Sequence, residues 1–315
     1  MKWFNSDFIK ETDMKNEFRI NIKKMVPMLD DKWCFWDGEL EKFVILFEDE
    51  AVTEDLKKKF QVFFNKNNWS EDDVIVYHSN SDLNEKSFRS FDNFFMECKS
   101  ILNNNYFSET DYESEKIKKY NCLNHSMKIH RQFIYKGLKD RNLLDFGYVS
   151  FLEKGITLPN YLEQKTDFKQ WRWDTLNYRI PSSTYFNIVT ETHHNIDMEL
   201  NSTFITEKIC KALITQPFIL VGNVNHIKYI KDKGFETYSE IFDESYDTIE
   251  SPNERLNFVL DEVERVCKME ENKLKDLYES VIWKVKHNIK VMSEFKDDLD
   301  AKKYINIRGY WGGIV

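Results

Sequence analysis

The stretch Phe204-Ile-Thr-Glu-Lys-Ile-Cys-Lys-Ala-Leu-Ile-Thr-Gln-Pro-Phe-Ile-Leu-Val-Gly222 joins a helix-forming segment to a strand-forming one. Residues 207–214 place apolar side chains on one face and two lysines on the other, which predicts a helix. Residues 218–221 form a short apolar run that follows Pro217 and stops at Gly222. Because proline can begin a strand but interrupts its middle, this run predicts a short, fully buried strand.

The β-rich run at residues 185–190 precedes this stretch, so the predicted order is strand, loop, helix, strand. That order is the layout of a right-handed crossover in a parallel sheet, where ligands bind beyond the carboxyl ends of the strands. Thr206, Glu207 and Lys208 lie at the predicted helix start. Free N–H groups and a lysine there suit a diphosphate, and a carboxylate can accept from ribose hydroxyls. An ordinary surface charge pair on a helix is the alternative.

The length and composition of the chain indicate a soluble protein with two domains. Its 315 residues are enough for two domains of ordinary size, and 41% apolar residues can fill large cores. The net charge of -9 disfavours a general nucleic-acid coat, although it leaves room for a local basic groove. Five scattered cysteines without a CxxC pair suit reduced thiols in a cytosolic protein.

The chain shows no sign of a membrane or secretory segment. The residues at its start have no apolar core of signal-peptide length. No run approaches the roughly 18 apolar residues that a membrane span needs. We therefore expect a cytoplasmic protein without a membrane span.

Strand-like and helix-like segments alternate in the first third of the chain, which indicates an α/β domain. The charged, aperiodic stretch at residues 108–119 predicts the domain boundary. We expect a first domain at residues 1–115, a second at 116–290 and a C-terminal tail at 291–315. The elements predicted in the first domain are strands at 33–36, 43–47 and 74–77 and helices at 53–65, opened by a Thr53 cap, and 87–102.

The second domain repeats the pattern of a strand, a loop and a helix. A strand at residues 120–124 leads into a loop with Asn124 and then into a helix that begins near Arg131. Residues 153–183 have weak periodicity and predict a loop or insertion. The other predicted elements are strands at 148–151 and 234–238 and helices at 226–233, 252–270 and 271–292.

Several common catalytic motifs are absent from the sequence. It contains no GxGxxG, no GxxxxGKS/T, no GxSxG and no HExxH. His193 and His194 with Asp197 and Glu199 could bind a metal, but adjacent histidines in a loop are usually only polar. We therefore predict no metal site there. Asp298-Leu-Asp300 matches a bare DxD pattern, but its late, polar surroundings indicate a solvated face.

The acidic cluster Glu48-Asp49-Glu50 follows the predicted strand at residues 43–47 directly. Carboxylates at the carboxyl end of a strand can supply a general base or hold a divalent ion. An exposed acidic turn is the simpler alternative for these residues.

The region from Tyr120 to Asp247 resembles the α1,3-fucosyltransferases and their bacterial and viral relatives. The resemblance rests on an acidic strand end, an aromatic-x-Thr-Glu-Lys helix start, and an apolar helix that leads through a proline into an apolar strand and a glycine. These features correspond to Ile188-Val-Thr-Glu191, Phe204-Ile-Thr-Glu-Lys208 and Pro217 to Gly222, with Cys122-Leu-Asn124 and Arg131 upstream.

The resemblance implies two Rossmann-like domains of the GT-B type and an inverting, metal-independent glycosyltransferase without a cofactor. The second domain would hold a nucleotide-diphosphate sugar, and the first would carry the acceptor site and the general base. By position, Glu207 would meet the ribose, Lys208 and Arg131 the diphosphate, and Glu191 the sugar or its surroundings. The donor-site residues implied in this way are Asn124, Arg131, Glu191, Phe204, Thr206, Glu207 and Lys208.

Two positions depart from the family pattern: Phe204 stands where the family has tyrosine, and Thr192 stands where it has asparagine. The donor therefore stays open between a GDP-linked and a UDP-linked sugar. Displacement at the anomeric carbon also needs a base near the acceptor hydroxyl. Glu48, Asp49 and Asp82 follow predicted strands of the first domain, so we expect the base among them and a glycan as the acceptor.

Two alternatives remain open. A viral enzyme of the same fold could glycosylate a modified base in DNA, and Trp171-Arg-Trp173 with Arg179 would be its only basic and aromatic signal. The net charge of -9 counts against this alternative. A non-catalytic nucleotide-binding protein is the other, in which Glu207 and Lys208 only cap a helix.

Overall fold

The structure is a computed structural model that describes residues 34–37, 42–47, 52–66, 70, 72–78, 87–90, 92–103, 111–159, 162, 179–197 and 203–296. The chain divides into two compact units. The first comprises Met1–Phe91 with Asp297–Val315, and the second comprises Asp92–Lys296. The described part of the first unit contains one helix and a sheet with parallel strand pairs, and the second contains several helices and a parallel sheet, which confirms the predicted α/β class.

The described part of the first unit has a four-stranded sheet. Its strands lie in the order β1-β2-β3-β4, with β1 antiparallel to β2 and the other pairs parallel. Helix α1 (Glu54–Lys66) connects β2 to β3, and the predicted cap is present because the Leu56 amide donates to Thr53 Oγ1 at 3.2 Å. The strands are β1 (Cys34–Asp37), β2 (Lys42–Phe47), β3 (Val74–His78) and β4 (Phe88–Ser90).

The prediction of one helix at residues 87–102 was wrong at its start. β4 pairs with β3 instead, and the Val76 amide donates to the Ser87 carbonyl at 2.6 Å. The helix that follows is α2 (Asn93–Asn103). A three-residue strand is too short to show a period of two, so the aromatic pattern of the helix conceals it.

Helix α2 belongs to the second unit. Phe95 lies in the core of that unit, and its ring contacts the Phe235 ring with centroids 5.1 Å apart. The compact units therefore divide between Phe91 and Asp92. The expected acceptor and donor domains, with their limits at residues 115 and 290, stay predictions about function.

The second unit is built on a fully parallel sheet with the strand order β6-β5-β7-β8. The strands are β5 (Lys118–Asn124), β6 (Gly147–Phe151), β7 (Thr184–Thr190) and β8 (Phe218–Val221). The chain leaves β5 toward one side of the sheet and leaves β7 toward the other. This arrangement creates a topological switch point between β5 and β7, where ligands bind in sheets of this kind.

Two crossovers flank the switch point, and both confirm the sequence prediction. Helix α3 (Ile129–Asp140) connects β5 to β6, and a seven-residue helix follows β7 and leads into β8. Right-handed crossovers that run in opposite directions place their helices on opposite faces of the sheet. The remaining helices are α4 (Arg179–Ser182), α5 (Glu207–Leu213), α6 (His226–Asp232), α7 (Pro252–Cys267) and α8 (Glu271–Glu294).

The helices form two layers around the apolar strands of the second unit. Helix α3 packs with α7, whereas α5 packs with α2 and α8. All four residues of β8 are buried between them, as its continuous apolar run predicts. The switch point is therefore supported from both faces by packed helices.

The predicted strand at residues 234–238 is absent. The Glu236 amide donates to Asn288 Oδ1 at 2.8 Å, and Asn288 Nδ2 donates to the Glu236 carbonyl at 3.0 Å. One side chain of α8 thus satisfies the backbone groups that a neighbouring strand would otherwise pair. The apolar side chains of Phe235 and Tyr238 are buried, and this explains their β-like pattern without a strand.

Candidate functional site

The carboxyl ends of β5 and β7 meet at the switch point. Asn124 ends β5 and is 4% exposed, and its Oδ1 accepts from Thr190 Oγ1 at 2.5 Å. Asn124 Nδ2 donates to Cys122 Sγ at 3.3 Å. The predicted donor-site residue Asn124 therefore fixes the ends of the two strands to each other.

Glu191 follows β7 and carries a carboxylate that is fully buried. Its Oε1 accepts from the Thr206 amide at 3.3 Å, and its Oε2 accepts from the Thr192 amide at 3.1 Å and from Thr206 Oγ1. Burial raises the pKa of Glu191, while the Lys208 charge and the Thr206 hydrogen bond act in the opposite direction. Glu191 therefore connects the end of β7 to the start of α5.

Thr206 is the N-cap of α5, and its hydroxyl accepts from the Lys208 amide at 3.4 Å. The backbone N–H of Lys208, one of the groups expected to be free at the helix start, is therefore already hydrogen-bonded to Thr206. Thr206 is 1% exposed, so its side chain is buried. Thr206 therefore connects the Glu191 carboxylate to the backbone of Lys208.

Glu207 and Lys208 form a pair that is partly open to solvent. Lys208 Nζ donates to Glu207 Oε1 at 2.7 Å, and the side chains are 32% and 26% exposed for Lys208 and Glu207 respectively. Burial acts to raise the pKa of Glu207, but the charge and hydrogen bond of Lys208 outweigh it and hold that pKa below its usual value. Lys208 also donates to Thr192 Oγ1 at 2.7 Å.

A second lysine, which sequence reasoning missed, reaches the same threonine. Lys128 lies directly before α3, and its Nζ donates to the Thr192 carbonyl at 2.6 Å. Two ammonium groups thus converge on Thr192 from the ends of two different helices. We call Lys128, Thr192, Glu207 and Lys208 the Thr192 site. No local pattern around Lys128 predicts this, because the sheet topology brings the two lysines together.

Arg131, unlike the two lysines of the Thr192 site, is buried, with 4% of its surface exposed. Its Nη1 donates to Ser126 Oγ at 2.5 Å, and its Nη2 donates to the Glu191 carbonyl at 3.0 Å. Burial lowers the pKa of Arg131, against the charges of Glu191 and Asp197. Two of its five N–H donors are used in this way, and Nε is buried without a hydrogen-bond partner among the described residues.

The start of α3 is already occupied by a carboxylate of the protein itself. The Ile129 amide donates to Asp197 Oδ1 at 2.6 Å, and Asp197 Oδ2 also contacts His130 Nδ1. His130 Nε2 lies 2.9 Å from the Glu191 carbonyl. These contacts bind the stretch that follows β7 to helix α3.

The adjacent histidines are packed into the protein. The His194 ring stacks on His130 with centroids 5.3 Å apart, and the His193 ring meets Phe204 edge-on at 5.0 Å. Among the described residues, no group of three or more His, Cys, Asp or Glu side chains is arranged to hold a metal ion. Glu199, the fourth candidate ligand, lies outside these residues.

Phe204 has no exposed surface. It packs edge-on against Phe94 with centroids 6.1 Å apart, and its amide donates to His226 Nε2 at 3.1 Å. Although the resemblance implies a donor contact for this residue, the structure places its ring in the core.

The predicted catalytic carboxylates Glu48, Asp49 and Asp82 lie outside the described residues. So do Trp171, Arg172 and Trp173 and the Asp298–Asp300 pattern, whereas Arg179 begins α4 and is exposed. The candidate general base therefore stays a prediction.

No helix within the described ranges is both long enough and apolar enough to cross a membrane. Comparisons with protein-family models, with curated proteins and with solved structures find no match to this chain.

Proposed function

We propose that the protein is an inverting, metal-independent glycosyltransferase of the two-domain GT-B type. It would bind the diphosphate of a nucleotide sugar at the Thr192 site and transfer the sugar to a hydroxyl of a glycan. The observation that carries this proposal is the convergence of the Lys128 and Lys208 ammonium groups on Thr192 at a topological switch point. Two cations at such a point suit an anionic ligand with more than one charge.

The environment of Lys208 supports a diphosphate as that ligand. Its ammonium group has three N–H donors, and within the described residues two of them are used, by Glu207 and Thr192. The third donor is left for a ligand oxygen. Glu207 is held ionised by Lys208, so it can accept hydrogen bonds from ribose hydroxyls beside the diphosphate.

The chemistry that follows is an in-line displacement. The bond from the anomeric carbon to the diphosphate oxygen breaks while the acceptor oxygen forms the new glycosidic bond, and the acceptor proton passes to a carboxylate. Glu48, Asp49 and Asp82 remain the predicted bases. Lys128 and Lys208 would stabilise the negative charge that develops on the leaving diphosphate without a metal ion.

Nucleotide binding gives the first test. We expect at least one of GDP, UDP, ADP and CDP to bind with a Kd on the order of micromolar and to raise the Tm. At a hundredfold excess over Kd the expected stabilisation is about 2.7 kcal/mol. The Lys128→Ala/Lys208→Ala double variant is the control, because it removes both cations and leaves the sheet untouched. No calorimetric heat and no Tm shift with any of the four nucleotides would overturn the proposal.

Sugar transfer gives the second test. With a panel of GDP-linked and UDP-linked sugars we expect slow release of the nucleoside diphosphate, and this release should survive EDTA. Tight binding with neither hydrolysis nor transfer would identify a nucleotide-binding protein instead. Tight duplex binding whose affinity falls steeply between 50 and 200 mM salt would point to a DNA acceptor.

A further inference from the structure

Arg255 is a buried cation whose hydrogen-bond acceptors among the described residues are all neutral. It lies in the first turns of α7 and is 2% exposed. Its Nε donates to the Gly222 carbonyl at 3.1 Å, its Nη2 donates to Asn195 Oδ1 at 2.6 Å, and its Nη1 donates to the Ile249 carbonyl. In the described part of the chain, Arg255 has no carboxylate within ion-pair distance.

These three acceptors belong to three different parts of the chain. Asn195 lies in the stretch after β7, Gly222 follows β8, and Ile249 lies just before α7. A guanidinium carries five N–H donors in a rigid planar fork, so one arginine can serve three separated acceptors. A lysine has a single flexible ammonium group and cannot reproduce this geometry.

Asn195 is fixed on its other side as well. The backbone N–H of Asn195 donates to Oδ1 of Asn223 at 2.8 Å, and Asn223 lies in the loop that follows β8. At the opposite end of the same stretch, Arg131 holds the Glu191 carbonyl. The 191–197 segment is therefore anchored at both ends by buried arginines, and Thr192 lies between the anchors.

A buried charge without an ionic partner is costly, because the protein replaces only part of its hydration. Burial accordingly lowers the pKa of Arg255, against the charges of Asp247 and Glu250. An apolar side chain of similar length would fill the same volume without that cost. The hydrogen bonds of Arg255 are what such a side chain would lack.

We propose that Arg255 is a positioning residue for the Thr192 site. By fixing Asn195 it sets the conformation of the 191–197 segment, and through it the placement of Thr192 against Lys128 and Lys208. The consequence for ligands rests on the proposed function. The effect on the segment itself can be measured on the free protein.

Amide hydrogen exchange tests the positioning without a ligand. The amides of Asn195, Ile196 and Asp197 are hydrogen-bonded within the segment or to Asn223. In Arg255→Met we expect them to exchange about tenfold faster while the strand amides of β5 and β7 keep their rates. Arg255→Lys should not restore the slow exchange. Unchanged exchange in the segment would overturn the proposal.

Arg265→Met is the matched control. Arg265 lies on the same helix and donates to Glu262 and to the Ile241 carbonyl, away from the segment. If both variants accelerate exchange equally, the effect is general loosening of α7 and the proposal fails. Should Arg255→Met not fold, Asn195→Ala removes the same contact from the other side and is expected to give the same exchange pattern.

A double-mutant cycle between Arg255→Met and Asn195→Ala tests the effect on the ligand. With UDP or GDP as the probe, we expect each variant to lose about tenfold in affinity and the double variant to lose no more than either one. Losses that multiply, or single variants with full affinity, would contradict the proposal. If the unmodified protein binds none of GDP, UDP, ADP and CDP, the proposed function fails, and the exchange data still decide the role of Arg255.

Discussion

Lys128 and Lys208 donate to the same residue: Lys128 Nζ to the carbonyl oxygen of Thr192 at 2.6 Å, and Lys208 Nζ to its Oγ1 at 2.7 Å. Because both acceptor atoms belong to one residue, the two ammonium groups lie within about 10 Å of each other. Lys208 is also paired with Glu207, and an anion with more than one charge would be attracted to both ammonium groups. Neither lysine is fully buried, so an anion can approach both.

Removing either lysine should weaken the binding of a nucleoside diphosphate. For Lys128→Ala and for Lys208→Ala we expect losses on the order of 1.5–3 kcal/mol, because each variant removes one charge-assisted hydrogen bond. Lys136→Ala is the control, since Lys136 lies on α3 with a side chain that is 76% exposed and pairs with Asp140. Calorimetry measures the effect, and full affinity in either variant would remove that lysine from the site.

Arg131→Ala should lower the stability of the protein. Its guanidinium satisfies the Glu191 carbonyl and Ser126 Oγ in a buried environment, so we expect a loss of about 2–4 kcal/mol in the free energy of unfolding. Arg141→Ala, which removes surface ion pairs with Asp261 and Glu264, should cost less than about 1 kcal/mol. Urea denaturation compares the two variants, and equal losses would contradict the structural role of Arg131.

Thr206→Val should remove the hydrogen bonds that connect the end of β7 to the start of α5. It removes the hydroxyl that caps α5 and that donates to the buried Glu191 carboxylate. We expect a loss of about 2–3 kcal/mol in the free energy of unfolding. Thr206→Ser retains the hydroxyl and should lose less than half of that. If Thr206→Val costs no more than Thr206→Ser in urea, the two hydrogen bonds of the hydroxyl do not carry the expected loss.

Acid should destabilise the protein through two buried histidines. Burial is the main cause that lowers the pKa of His194 and of His226 to about 3. The unfolded chain therefore takes up protons below pH 6.5 that the folded protein does not, and stability falls as the pH falls from 6.5 toward 3. Each histidine should cost about 2 kcal/mol by pH 5.

The two substitutions that test this preserve one hydrogen bond each. In His194→Asn the amide oxygen can accept from Ile196, and in His226→Gln it can accept from Phe204. Each variant should lose part of the pH slope of the urea midpoint between pH 7.5 and 5, because each removes one imidazole whose pKa is lowered by burial. An unchanged slope in both variants would show that neither histidine is the source.

Strand β8 could be predicted because it is a short apolar run with clear ends. Pro217 and Gly222 delimit β8, and the helices on either side have a clean period. The wrongly predicted strand at residues 234–238 also contains residues that favour strands, namely Phe235, Thr237 and Tyr238. There a single distant side chain, Asn288, pairs with the backbone of Glu236, and no local pattern reveals such a contact.

The candidate site was predictable only in outline. The Thr-Glu-Lys sequence at residues 206–208 indicates the start of α5, and the topology indicates the edge of the sheet. The direction of Arg131 was not predictable, because a helix start can turn a long side chain outward or inward. The Arg131 side chain turns inward because it donates to Ser126 and Glu191, which are 5 and 60 residues away along the chain.

Helices α3 and α7 touch at Gly137, where an added Cβ would lie 2.2 Å from Leu260 Cδ1. The backbone of α3 therefore lies directly against a side chain of α7. Arg131 lies on α3, and Arg255 lies on α7. The 191–197 segment is thus hydrogen-bonded to two helices that are in direct contact, and a methyl group added at residue 137 would force the Leu260 side chain to move.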